Sequence, residues 1–219
     1  MKFSIWYNND IEWFSKIIKK YHNNISSVYF SPPKDISWTL REEKQLDFDS
    51  HEKQIIKLII LCKKYSIKSI MLFNSTQWTK ETWSIQSMLK NISYMKKMQQ
   101  FWLTSISLYN MLHVQFIKKS LPDLEIYSSV TLHIKELEMA RYIKKLWVDI
   151  ITIPEEMNRD FKFIEDITTK LWFKIQVMLN EWCIKNCPFR DMHFDISVNW
   201  WEFSEDWKNF NKDWLMPNF

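Results

Sequence analysis

Short apolar, β-branched runs alternate along this chain with longer stretches in which apolar residues recur three and four positions apart. The short runs predict seven strands, near 3–7, 27–30, 69–73, 105–109, 125–128, 149–153 and 174–179. The longer stretches predict helices near 11–21, 51–65, 79–100, 111–121, 134–146 and 158–171. In the second of these, Ile55, Leu58, Ile59 and Cys62 would line one buried stripe. Strand followed by helix, repeated, is the pattern of βα units around a parallel sheet, so the fold class is α/β. A (β/α) barrel of the TIM type and a doubly wound sheet both fit that alternation. The barrel is favoured because no dinucleotide fingerprint follows the first strand. Only seven strands are recognisable, which implies a barrel whose last unit is missing or irregular. Residues 1–196 are assigned to the barrel and 197–219 to an irregular tail. Segment 31–50, with Pro32, Pro33 and many charges, reads as a long loop after the second strand.

Composition changes this picture in one respect. Average usage of ~7% glycine predicts about 15 glycines at this length, yet the 219 residues contain none and hold 13 tryptophans. Trp102, Trp147 and Trp172 share one slot, each standing where a helical segment gives way to a strand. A helix that stops and feeds a strand ends most easily in a left-handed residue, where glycine carries no Cβ penalty and tryptophan does. The expectation is that UGA codons specifying glycine have been read as tryptophan. The alternative is a chain truly rich in tryptophan.

Charge and cysteine usage narrow the classes. Thirty basic and 26 acidic residues give a net charge of +4, and the lysines are spread in pairs along helical stretches. That is weak ground for a nucleic-acid surface. No apolar run approaches the ~20 residues that span a bilayer, so a cytoplasmic protein without a membrane segment is expected. Three cysteines, two of them close together at 183 and 187, fit reduced thiols or metal ligands better than a disulfide framework.

In a barrel the chemistry lies at the C-terminal ends of the strands. The residues there are Tyr7 and Asn8, Asn74, Tyr109 and Asn110, Ser128 and Ser129, Pro154 and Glu155, and Asn180 and Glu181. Asn74, Ser128, Glu155, Asn158, Arg159 and Asn180 are the candidate substrate-binding residues. Asn74, Asn110 and Ser129 are equally natural helix caps, and Asn158 is a natural N-cap for the last helix, with Asp160 in its first turn. The densest signal runs from Asn180 through Glu181, Cys183, Cys187 and Arg190 to His193. Two thiols spaced C-x₃-C, with a histidine six residues on, offer soft ligands to zinc or an iron–sulfur cluster, but the ligand set is incomplete. A loop whose two cysteines merely pack fits as well. Cys62, in mid-helix, reads as a core thiol, and His22, His51, His113 and His133 as structural or solvated residues. No Ser/His/Asp order, zincin motif or phosphate loop is present.

With glycine at 182, the segment from Asn180 to His193 resembles the signature segment of the U32 peptidase family. The stretches Ile153-Pro154-Glu155-Glu156-Met157-Asn158-Arg159-Asp160 and Asp123-Leu124-Glu125-Ile126-Tyr127-Ser128-Ser129 are similar to that family as well. The resemblance implies a TIM-like barrel and a name inherited from collagenase-like peptidases. It also connects the chain to proteins that hydroxylate tRNA, rRNA or ubiquinone precursors, several of them with a four-cysteine iron–sulfur cluster. Here the third and fourth cysteines of that cluster are absent, and family members usually continue beyond this point, which implies a truncated C-terminus.

Three functions follow as expectations. In the first, Cys183 and Cys187 ligate a metal centre while Glu181, Arg190 and His193 position substrate or transfer protons. In the second, Glu181 or His193 activates water for peptide hydrolysis. The third is a non-catalytic binding barrel. The substrate is a peptide, an RNA or a small molecule, and the oligomeric state is open.

Overall fold

The structure is a computed structural model that describes residues 2–33, 36, 47–75 and 84–179. The stretch 180–219, and with it Asn180, Glu181, Cys183, Cys187, Arg190, His193 and the proposed tail, lies outside the described residues. Seven strands alternate with helices: β1 (Phe3–Trp6), β2 (Ile25–Phe30), β3 (Lys68–Phe73), β4 (Ser105–Leu108), β5 (Glu125–Ser128), β6 (Ile150–Ile153) and β7 (Lys174–Val177). They form one sheet in the order β1-β2-β3-β4-β5-β6-β7, every neighbouring pair parallel. That order decides between the two architectures. A doubly wound sheet reverses its strand order at a switch point, whereas here each strand is added beside the last in one direction, as in a (β/α) barrel. The chain is thus α/β and TIM-like, with β1 and β7 unjoined among the described residues.

The helices that cross back over the sheet are α1 (Ile11–Tyr21), α2 (Phe48–Lys64), α3 (Ile85–Gln99), α4 (Val114–Ser120), α5 (Leu137–Lys145) and α6 (Phe161–Lys170). Four are started by a side chain accepting an orphan backbone N–H: Asp10 from Trp13, Asp47 from Ser50, Ser84 from Ser87 and Asp160 from Phe163. These caps correct two sequence expectations. Helix α2 begins at Phe48 rather than 51 because Asp47 caps it, which shortens the loop expected to run to Ser50. The last helix is capped by Asp160 and not by Asn158, whose amide is used elsewhere. The segment expected as one helix over 111–121 is a 3₁₀ turn, Met111–His113, leading into the short α4.

The helix ends repeat one device. After α2, α3, α5 and α6 stand Ser66, Trp102, Trp147 and Trp172, with φ of 55°, 72°, 67° and 54°. The next residue in each case is buried (Ile67, Leu103, Val148 and Phe173), and its N–H reaches back to the helix. Ile67 donates to Cys62 O at 2.9 Å, Leu103 to Met98 O at 3.2 Å and Val148 to Ile143 O at 3.3 Å. This is the six-to-one bond of a Schellman ending, with its apolar contact just beyond the left-handed residue.

Side chains alternate along the strands between two layers. Val28, Phe30, Met71, Phe73, Ile106, Leu108, Ile126, Ile151 and Ile153 join the helices in the main core, with Ile55, Leu58, Ile59 and Cys62 of α2 packed against them. Ile70, Tyr127 and Ile150, with Tyr29 beside them, form a separate cluster on the other face, the interior of the barrel. Below it Lys68 Nζ reaches both carboxylate oxygens of Glu125, at 2.8 and 2.6 Å, and Ser105 Oγ donates to the same carboxylate at 3.3 Å. Among the described residues no helix is long and apolar enough to cross a membrane.

Candidate active site at the strand tips

The C-terminal ends of the strands gather a second set of polar groups, apart from the Lys68–Glu125–Ser105 group at the opposite end. Tyr7, just past β1, is fully buried, and its hydroxyl donates to Gln54 Oε1 on α2 at 2.9 Å. Asn9 follows with φ of 59°, a conformation asparagine tolerates better than most residues. Past β3 stands Asn74. The Oδ1 atoms of both Asn9 and Asn74 are buried and meet no donor among the described residues. A buried amide oxygen without a donor costs free energy on the order of 1–3 kcal/mol, a demand that an ordered water or a bound molecule meets.

Other rim residues are committed to the fold. Asn110 Oδ1 accepts from Leu112 N at 3.1 Å, which fixes its Nδ2 as the donor to His113 Nε2, also at 3.1 Å. The histidine must therefore be neutral on that nitrogen, in keeping with burial, which lowers its pKa. Ser129 caps a 3₁₀ turn by accepting from Thr131 N. The hydroxyl of Ser128, fully buried, accepts from Thr152 N at 3.1 Å and so extends the short β5–β6 ladder by one bond. Cap or ladder duty thus accounts for Asn110, Ser128 and Ser129, whereas Asn74 Oδ1, like that of Asn9, meets no donor among the described residues.

Past β6 the chain turns through Pro154 into a 3₁₀ turn, Glu155–Met157. Glu155 is buried. Glu156 has a side chain only 6% exposed; it accepts from Lys135 Nζ at 2.5 Å and lies 3.7 Å from His133 Nδ1. His133 is itself left-handed, with φ of 47°, which turns the chain after β5 toward this carboxylate. Sequence reasoning took His133 as structural or solvated and gave Lys135 and Glu156 no role at the site. The two basic residues come from the β5 loop and the acid from the β6 loop, and no local spacing joins them. Beside them lies an open cavity of about 630 Å³ whose lining includes Lys135, Glu156, Arg159 and Lys162. Arg159 is exposed there.

Asn158 ties the loop after β6 to the chain leaving β7: its Nδ2 donates to Met178 O at 2.7 Å. Met178 stands two residues before Asn180, where the cysteine-bearing segment begins. Of the six candidate substrate-binding residues, five are described. Asn74, Ser128, Glu155, Asn158 and Arg159 all lie at or just beyond strand C-terminal ends, on one side of the sheet. Among the described residues no group of three His, Cys, Asp or Glu side chains could hold a metal. Cys62, the described cysteine, is buried in the helix layer, and its thiol pKa is pushed up to about 12 by burial.

A family profile described as peptidase family U32 matches residues 13–184, more than three quarters of the chain. The chain belongs to peptidase family U32. An uncharacterized protease of Methanocaldococcus jannaschii, MJ1657, is 24% identical over 191 residues, which cover 85% of this chain and 54% of that protein. The chain therefore spans about half the length of the curated relative it matches. Among solved structures, the U32 peptidase Mk0906 superposes with a TM-score of 0.70 at 12% identity, covering 91% of this chain and 76% of that one. The 3-keto-D-glucoside 4-epimerase YcjR of E. coli superposes with a TM-score of 0.54 at 11% identity, covering 89% of this chain and 84% of that one. At these identities the likeness is one of fold. The U32 profile reaches residue 184, past β7 and into the segment that carries Glu181 and Cys183.

Proposed function

We propose that this U32 chain is the barrel of a hydrolase that binds a peptide across the strand tips, with the segment from Asn180 to His193 completing the reaction centre. The observation that carries the proposal is the 2.7 Å bond from Asn158 Nδ2 to Met178 O. It holds Met178, two residues before the cysteine-bearing segment begins, beside the Glu155 turn, and that supports this reading. A peptide suits the rim chemically. The buried Oδ1 atoms of Asn9 and Asn74 accept, and peptide N–H groups donate. Arg159 and Lys162 around the adjoining cavity suit a carboxylate.

In this reading Glu181 or His193 takes the proton from the attacking water, Arg190 steadies charge on the substrate, and Asn74, Ser128, Glu155, Asn158, Arg159 and Asn180 line the binding surface. Cys183 and Cys187 are proposed as metal ligands, zinc or iron–sulfur, on the strength of their C-x₃-C spacing. Further ligands would be needed beside these two thiolates to complete either kind of site. No step of hydrolysis is routed through the metal.

The test is cleavage of an unfolded protein substrate by protein carrying glycine at the tryptophan positions, with metal content measured in parallel. Glu181→Gln and His193→Ala together should abolish cleavage while leaving the melting temperature within a degree or two. Cleavage unchanged in both variants excludes those roles. Absence of cleavage in the parent together with stoichiometric iron would favour the second reading, a hydroxylation-type enzyme acting on RNA or a small molecule. Wild-type function after Cys183→Ser with Cys187→Ser would remove the metal from either reading.

A further inference from the structure

We propose that the residues written as tryptophan in this chain are glycine in the protein as its own cell makes it, the codon UGA being read as glycine. Composition, backbone conformation, exposure and register all agree with this. The chain contains 13 tryptophans and no glycine, where average usage predicts about 15 glycines. The two counts nearly exchange.

The backbone supplies the second observation. Trp102, Trp147 and Trp172 are left-handed, with φ of 72°, 67° and 54°. For a bulky residue such a φ is a true outlier, and glycine adopts it without penalty. Trp102 and Trp147 occupy the same Schellman slot that Ser66 fills after α2, the position where glycine is most enriched, and Trp172 makes the equivalent left-handed exit from α6, with Phe173 N bonded to Ile167 O at 3.3 Å.

Exposure supplies the third. Tryptophan carries a large apolar payload and is highly buried on average. Here Trp13 is 49% exposed, Trp102 53%, Trp147 59% and Trp172 82%. These indoles pack against little, so their removal forfeits little. The fourth observation is register. The residues following Trp102, Trp147 and Trp172, namely Leu103, Val148 and Phe173, are buried and begin the approach to β4, β6 and β7. The left-handed turn is therefore what aims each strand, and a residue resisting it would disturb the sheet.

One consequence reaches the site. Trp6, on β1, stands with its ring 5.3 Å from that of Tyr29, which packs on the barrel-interior cluster. With glycine at 6, Tyr29 alone presents an aromatic face to the interior at that point, and no recognition role belongs to the indole.

The deciding experiment is peptide mass spectrometry on the protein isolated from its natural cell. Glycine masses at 102, 147 and 172 are expected; tryptophan, or any residue other than glycine, at any of the three overturns the proposal. A second measurement needs no natural source. Full-length protein carrying Trp102→Gly, Trp147→Gly and Trp172→Gly should melt above the tryptophan form by about 2–4 °C per position. An equal or lower melting temperature overturns the claim that these slots select glycine.

Discussion

The left-handed tryptophan slots, Cys62 and His113 show how far single residues could be read from the sequence. The slots of Trp102, Trp147 and Trp172 were legible because helix-then-strand spacing demands a left-handed link, and the observed φ values agree. A left-handed L-residue costs roughly 1–2 kcal/mol, so each is a measurable site. Cys62 was legible as a core thiol from its helical phase. With its pKa pushed up to about 12 by burial, it should remain unlabelled by an alkylating reagent at pH 8 in the folded state and react fully in denaturant. Labelling in the native state would contradict its placement. His113 was legible only as a structural residue, because its neutral state depends on an amide three residues away whose orientation a sequence does not show. Burial lowers the pKa of both His113 and His51 from 6.5, so the unfolded chain takes up protons that the folded one refuses. Stability from this source is complete above about 6.5 and is lost as the pH falls below it. The melting temperature should drop between pH 7.5 and 5.5, and His113→Gln should shrink that drop. A drop of equal size in the variant would remove His113 from the account.

Elements were the most legible level, since all seven strands and most helices follow from periodicity alone. Boundaries moved where a side-chain cap outranked the apolar pattern, as Asp47 did by starting α2 at Phe48. The same physics displaced Asn158 from the N-cap of α6. Aspartate at 160 accepts from Phe163 N and frees the asparagine amide for Met178 O. Asp160→Ala should therefore destabilise the protein by about 1 kcal/mol in denaturant melts. Asn158→Ala should instead loosen the link between the β6 and β7 loops with a smaller effect on overall stability. If Asn158→Ala proved the more destabilising of the two, the cap assignment would be wrong. Packing of the elements is tested at Ile106 on central β4, which is fully buried between sheet and helices. Ile106→Ala should cost about 2–5 kcal/mol; a loss below 1 kcal/mol would deny it a place in the main core.

At the scale of the whole molecule, sequential strand order sets seven strands and the six described helices into a TIM-like arrangement with a polar rim at the strand C-terminal ends, and membership in peptidase family U32 agrees with that shape. The sequence carried the fold and half of the rim, because strand ends can be counted along the chain. It did not carry the His133–Glu156–Lys135 group, which exists only once the β5 and β6 loops stand side by side. Nor did it separate Asn74, whose Oδ1 meets no donor among the described residues, from Asn110 and Ser129, which are caps. The central claim is that binding occurs at this end of the sheet. Hydrogen exchange with and without a bound unfolded-protein substrate tests it most directly. Slower exchange is predicted at Asn8–Asp10, Asn74, and the loops at 129–135 and 154–160. Protection confined to the opposite end, around Ser66, Trp102 and Trp147, would contradict the account.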